Sequence, residues 1–283
     1  MKKNIIIVRG GGDIATGTIY KLHQSGYPVL VTEIANPSAI RRQVAFSEAV
    51  YEKSYTVEGV TCNFAENLTR AYELLKQRKV ALMIDPDGAV IREVKPAAVV
   101  DGILAKKNLG TIMDMAPFTV ALGPGFTAGV DVHAVVETMR GHKLGRIIYE
   151  GNAIPNTGIP GAIAGVAKER VIHAECAGVL YGEKKISDYV QKDEVIAYIY
   201  PDAQAKDASG QREKDGAVAV KATISGILRG LIRDGYPVTK GFKIADIDPR
   251  ESEYENCFTI SDKARCIAGG VLEALLHAGV LPE

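Results

Sequence analysis

The sequence predicts an α/β domain, then a small duplicated all-β domain, then a closing helix. Three observations carry this. The chain opens as strand, glycine loop, helix, strand over Asn4–Thr32; apolar strands and amphipathic helices keep alternating to Tyr149; and a self-similar stretch follows residue 168. The predicted domains are 1–168, 169–250 and 251–283, and 283 residues are enough for two cores.

The first element, Asn4–Val8, is apolar and β-branched and reads as a buried strand, because the run is too short for a signal-peptide core. Arg9-Gly10-Gly11-Gly12 is a loop, and Asp13–Gln24 a helix with Ile14, Ile19 and Leu22 towards one face. Gly26 suits the left-handed stop, and Pro28–Thr32 is the next strand. Further helices are predicted at Asn67–Gln77, Lys95–Lys107 and Val130–Arg140. Strands are predicted at Val80–Ile84, Thr111–Met113, Thr119–Leu122 and Arg146–Tyr149. Such alternation predicts a mostly parallel sheet covered on both faces, with ligands beyond the carboxyl ends of its strands.

Gly10-x-Gly12-x-x-Ala15 fits the Ala-ending dinucleotide fingerprint of a Rossmann-like domain. Glu33 closes the second strand where a ribose-binding acid would sit. Gly10, Gly11 and Gly12 let a phosphate approach the backbone, and the helix start offers free N–H groups. Gly17 lies one turn further along the same helix. Asp13 offers a competing reading, a tight turn capped by its own carboxylate with no ligand.

A second cluster, Gly123-Pro124-Gly125-Phe126-Thr127-Ala128-Gly129, again follows a strand and forms a constrained loop. In the helix predicted after it, His133 and Glu137 share a face and read as a hydrogen-bonded pair, since no third metal ligand is evident. Arg140 and His142 stand in a basic run ending at Arg146, before the loop Glu150–Gly161. Arg9, Arg41, Arg42, Arg140 and Arg146 could gather at the carboxyl face and hold a phosphorylated ligand, or serve only as solvated faces and helix ends. Asp85-Pro86-Asp87-Gly88 is a turn.

In the second half a shift of 48 residues carries Gly178, Leu180, Gly182, Val190, Ile196, Ala197 and Ile199 onto Gly226, Leu228, Gly230, Val238, Ile244, Ala245 and Ile247 without a gap. The rhythm of short strands and turns resembles the biotinyl/lipoyl-like barrel-sandwich hybrid. In carrier versions of that domain a lysine sits on the hairpin between the halves, usually flanked by methionine. The connection Tyr200–Val220 holds Lys206 and Lys214 but no Met-Lys-Met, so covalent biotin or lipoate is not expected and the domain reads as a docking or structural module. Asp202–Gly216 reads as a mobile surface loop. Ser261 caps a final helix, Asp262–His277, whose Gly269-Gly270 implies close packing on the first domain or a homo-oligomer contact.

Composition limits the partners. Lys+Arg and Asp+Glu each number 34, so no net field favours nucleic acid or an anionic membrane. No run reaches the length of a membrane span, and Cys62, Cys176, Cys257 and Cys266 form no C-x-x-C pair. These features predict a cytoplasmic protein with neither a disulfide scaffold nor a metal site.

Several long stretches resemble the YqeB family, accessory proteins of the selenium-dependent molybdenum hydroxylase system. They include Gly11–Gly17, Arg41–Val50, Ala105–Asn108, Gly123–Phe126, Val135–His142, Asn156–Gly161, Asp246–Arg250 and Ile260–Lys263. The resemblance implies a maturation factor related in spirit to XdhC-type chaperones, which lack a duplicated β-domain. A molybdopterin-type cofactor or a dinucleotide would bind at Gly10–Gly12 or Gly123–Gly129, with Arg140 and His142 nearby, and the partner would be a molybdenum hydroxylase. The residues themselves leave a second reading open, an NAD(P)-dependent oxidoreductase using the same fingerprint and Glu33.

Overall fold

The computed structural model describes residues 4–158, 165–201 and 216–282. Ile159–Gly161 of the second predicted loop, and the 202–215 insertion with Lys206 and Lys214, lie outside the described residues. The chain divides into two compact units. Unit 1 comprises Met1–Pro37, Val44–Thr157 and Thr259–Glu283; unit 2 comprises Ser38–Gln43 and Gly158–Phe258.

Unit 1 holds strands β1 (Ile6–Arg9), β2 (Val29–Glu33), β3 (Ser54–Val57), β4 (Val60–Phe64), β5 (Val80–Ile84), β6 (Ala98–Asp101), β7 (Phe118–Leu122), β8 (Thr127–Ala128), β9 (Ala134–Val136), β10 (Ile147–Ile148) and β11 (Gly151–Asn152). Its helices are α1 (Asp13–Gln24), α2 (Ala49–Glu52), α3 (Leu68–Lys76), α4 (Val90–Val94) and α5 (Asp262–His277). One sheet runs β10–β9–β7–β6–β1–β2–β5–β4–β3, and β8 and β11 pair separately. Its central neighbours are parallel, while the edge pairs β9–β10 and β3–β4 are antiparallel.

Pleating sends successive β1 residues to opposite faces. Ile6 and Val8 join Ile19, Leu22, Ile267, Val271 and Leu275 of α1 and α5 in one core. Ile5 and Ile7 join Leu30, Leu74, Leu75 and Val99 in a second core, which includes the buried face of α3. Asn67 caps α3 by accepting the Arg70 N–H.

Helices α1 and α5 lie side by side and run parallel. Near their starts, a Cβ on Gly17 would stand 2.8 Å from Ala264 Cβ. Beyond their ends, the Tyr27 hydroxyl donates to Val280 O at 2.7 Å.

Unit 2 holds β12 (Val171–His173), β13 (Gly178–Gly182), β14 (Tyr189–Val190), β15 (Val195–Tyr200), β16 (Val218–Lys221), β17 (Gly226–Leu231), β18 (Tyr236–Val238) and β19 (Lys243–Asp248). They form two four-stranded sheets, β12–β19–β17–β14 and β16–β15–β13–β18, with antiparallel neighbours throughout. The 48-residue shift carries β13 onto the start of β17 and β15 onto β19. Each sheet mixes the copies: β13 and β15 of the first are flanked by β16 and β18 of the second, and β17 and β19 by β12 and β14.

The predicted fold class, a Rossmann-like domain followed by a biotinyl/lipoyl-like barrel-sandwich domain, is corrected. The main sheet is mixed, nine-stranded and closed at both edges by antiparallel strands. The later strands form two four-stranded sheets, and they share a unit with a six-residue segment from the first half.

The predicted helices Lys95–Lys107 and Val130–Arg140 are also overturned, because each contains a central strand, Ala98–Asp101 or Ala134–Val136. Both strands are short and valine-rich, and burial beside β1 and β7 outweighs local helix preference. Thr111–Met113 is not a strand; a 3-10 turn occupies Met113–Met115.

Candidate functional site

The site is built at the carboxyl ends of the central parallel strands. β1 leads into Gly10, whose φ of +90° disfavours any side chain and whose N–H donates to Thr32 O at 2.8 Å. A Cβ here would stand 3.0 Å from Ile103 Cα, and one on Gly11 would stand 3.0 Å from Ser47 N. Gly12 differs. It caps α1 at φ −65° and ψ 176°, a conformation open to any residue, and a Cβ there would meet no atom within 4 Å. No side chain caps α1, and Asp13 follows as its first residue.

Glu33 folds back on this loop. Its two carboxylate oxygens accept the Gly11 N–H at 2.7 Å and the Ile34 N–H at 2.8 Å. Burial pushes the Glu33 carboxyl above the ordinary range, and the two N–H groups oppose that shift. At the ends of β1 and β6, the Arg9 guanidinium donates to Thr111 Oγ1 at 2.5 Å and stands 3.9 Å from Asp101. The Thr111 hydroxyl donates to Asp101 Oδ2 and the Ile103 N–H to Asp101 Oδ1. Burial raises the Asp101 pKa, with those donors and Arg9 acting against it. Arg9 is therefore a buried member of a closed network, not a surface anion ligand. Asp85 likewise accepts the N–H groups of Ala89 and Val90 at the start of α4.

The start of α5 completes the mouth. Ser261 caps it by accepting the Ala264 N–H. Arg140 grips Asp262 with two bonds, at 2.6 and 2.9 Å. Lys263 is half-buried, and desolvation pulls its pKa down. Arg140 adds to that shift, while Asp13, Glu137 and Asp262 oppose it. Lys263 thus stands among Asp13 of the first glycine loop, Glu137 and the Arg140–Asp262 pair. The two parallel helices present their positive ends together, so their fields add at this end of the sheet.

The second glycine cluster is built differently. A Cβ on Gly123 would lie 2.5 Å from Thr138 Oγ1, and one on Gly125, whose φ is +109°, 2.6 Å from the Lys107 backbone. Phe126 is a core residue packed with Ala121, Val132 and Val135. His133 Nδ1 accepts the Thr119 N–H at 3.1 Å. Glu137 accepts the N–H groups of Met139 and Ile154. The predicted helical pairing of His133 with Glu137 is thereby replaced: a strand separates them and each has its own partners. His142 is exposed in the turn where the Leu144 N–H donates to Gly141 O.

The structure therefore brings together Gly10, Gly11, Gly12, Asp13 and Glu33, and sets Arg140 at the start of α5. Gly17 serves the contact between α1 and α5; Gly123, Gly125 and Phe126 serve packing. Arg41 and Arg42 belong to unit 2, where they donate to Asn256 O and Leu231 O. Sequence reasoning missed Lys263 and Asp101. The signal for Lys263 was its place just inside the Ser261 cap, but nothing local shows that α5 starts beside α1.

Fold and site define a two-unit α/β protein whose mixed sheet opens on paired helix starts. Over 279 residues, 98% of the chain, it is 47% identical to YqeB, an uncharacterized protein of Escherichia coli strain K12, and is therefore a homologue of YqeB. The match takes in 48% of that protein, so the chain spans about half the length of the curated relative it matches. A family model described as photosystem I reaction centre subunit N matches residues 35–105, short of half the chain.

Among solved structures, an aspartoacylase family protein from Mesorhizobium loti is similar at a TM-score of 0.29 and 11% identity, covering 88% of this chain and 86% of that one. A succinylglutamate desuccinylase/aspartoacylase from Rhodobacter sphaeroides matches at 0.27 and 14%, with the same coverages. A succinylglutamate desuccinylase from Silicibacter sp. TM1040 matches at 0.26 and 10%, covering 87% and 84%. Likeness this slight decides nothing about activity. Among the described residues, no helix is long and apolar enough to cross a membrane.

Proposed function

We propose that the mouth of the main sheet binds a phosphorylated pterin or nucleotide, and that the protein serves as an accessory factor for a selenium-dependent molybdenum hydroxylase. One observation carries the ligand reading: α1 and α5 start side by side, with free space at Gly12. Two helix starts concentrate unpaired N–H donors and positive potential, and they favour an anion. Lys263 adds a half-buried cation, beside the carboxylates of Asp13, Glu137 and Asp262. The positive helix starts suit a phosphoryl group, and a Cβ on Gly12 would meet no atom within 4 Å. The hydroxylase partnership rests on the sequence resemblance to the YqeB family, with unit 2 as the docking module. Glu33, at the end of β2, supports a second reading, a dinucleotide used by an oxidoreductase.

Calorimetric titration of the purified protein with molybdopterin, its cytosine dinucleotide and NAD(H) tests both readings. The expected result is tight binding of one of the pterin forms, weakened at least about tenfold by Gly12→Asp, which sets a carboxylate at the start of α1. Tight binding of NAD(H) alone would favour the oxidoreductase. Affinity unchanged in Gly12→Asp and in Lys263→Met would remove this mouth from the ligand site.

A further inference from the structure

Within unit 1, Glu33 stands between the first glycine loop and an apolar strand end. It is the register partner of Ile84 across the parallel pair β2–β5. Two residues back, Val31 and Leu82 lie in the core with Ile19 and Leu22 of α1. Pleating repeats every second residue, so Glu33 and Ile84 continue that same face past the core. Neighbouring strands are about 4.8 Å apart, which sets the carboxylate and the isoleucine side by side. The core does not cover this end: Ile84 is 42% exposed, and Ile34, the residue after β2, is 44% exposed.

The segment that carries Ile34 is held in place. Its N–H is bound to Glu33, and the Tyr51 hydroxyl of α2 reaches Asn36 Oδ1 at 2.6 Å and Pro37 O at 3.0 Å. An ionised carboxylate accepts at about four sites. Gly11 and Ile34 use one on each oxygen of Glu33, which is half-exposed, so each oxygen can take one more donor. A carboxylate beside exposed isoleucine suits a flat ring with two adjacent N–H donors on one edge. The edge pairs with the two oxygens, and the face covers apolar surface. A sugar diol also offers two donors but brings no flat apolar face to set against Ile34 and Ile84.

We propose that Glu33, Ile34 and Ile84 form the ring subsite of this mouth and select an aminopyrimidinone edge, the edge shared by guanine and pterin rings. This rests on the reading that a phosphoryl group binds at the start of α1. It adds which ring that group carries and which residues read it.

The test is calorimetric titration of the full chain with GMP, neopterin phosphate, AMP and ribose phosphate. The expected result is that GMP, neopterin phosphate or both bind at least about tenfold tighter than AMP and ribose phosphate. The tighter of the first two tells a purine from a pterin. Glu33→Gln should erase the preference. Ile84→Ser should weaken the favoured ligand about fivefold and leave ribose phosphate unchanged. The proposal is overturned if AMP or ribose phosphate binds as tightly as GMP and neopterin phosphate. In that case, loss of all four ligands in Gly12→Asp would keep the anion site without the ring subsite. No binding by any of the four would remove both. Should Glu33→Gln fail to fold, the ligand series on the native protein and Ile84→Ser decide.

Discussion

The two glycine clusters look alike in sequence and are opposite in structure. At Gly123 and Gly125 the missing side chains make room for the protein itself, Thr138 and the Lys107 backbone. At Gly10 and Gly11 the same holds, with Ile103 and Ser47 as neighbours, but Gly12 faces open space in a conformation that needs no glycine. Glycine richness therefore reports close approach and is silent about what approaches. Only the atoms a side chain would meet separate a self-packed turn from a place left open.

The largest effect expected from this contrast is on folding. Gly125→Ala must relieve both a left-handed backbone and a backbone clash, and should cost about 3 kcal/mol or more in urea unfolding. Gly12→Ala, by contrast, should stay within about 1 kcal/mol of the native protein. Equal costs at the two positions would erase the distinction. Next comes Gly17→Ala, which pushes on Ala264 and should cost about 1–3 kcal/mol, with part recovered by adding Ala264→Gly. Additive losses in that double variant would deny the direct contact between α1 and α5.

Much of unit 1's opening was legible. β1, α1 and β2 follow from a β-branched run, an apolar helical face and the stop at Gly26, and the Ser261 cap announces α5. The repeat in unit 2 was readable because identical residues recur in register. Ala98–Asp101 and Ala134–Val136 were misread as helix because their strand character comes from neighbours distant in sequence. Of the site, the glycine loop and Glu33 were visible. Lys263 was not, since its importance arises from the parallel seating of a helix contributed by the far end of the chain.

Smaller effects concern charge. Lys263 has a lowered pKa in the folded state, so folding expels its proton between that value and its unfolded one. Its contribution to stability therefore grows as pH rises through that window. Below the lowered folded value the folded protein carries the desolvated charge, so there Lys263→Met should raise the unfolding midpoint without ligand while weakening anion binding. A lower midpoint would mean that the lysine already has a firm partner.

Glu33 and Asp101 give the smallest expected signal. Their folded pKa values are raised, so the folded state holds protons that the unfolded state has released. Their contribution is full below the unfolded values and lost as pH rises through the folded ones. Denaturation at stepped pH should show Glu33→Gln removing part of the stability change just above the ordinary carboxylate range. A pH profile superimposable on the native one would show that Glu33 is not desolvated.

The exchange of strands in unit 2 has one more consequence. Because the inner pair of each sheet comes from one copy and the outer pair from the other, an isolated 48-residue copy has no complete sheet of its own. Two identical copies would supply each other's flanks through a twofold axis, so a peptide carrying one copy should assemble as a symmetric dimer or not fold at all. The tandem arrangement converts an encounter between molecules into a closure within one chain, and makes folding of this unit independent of concentration.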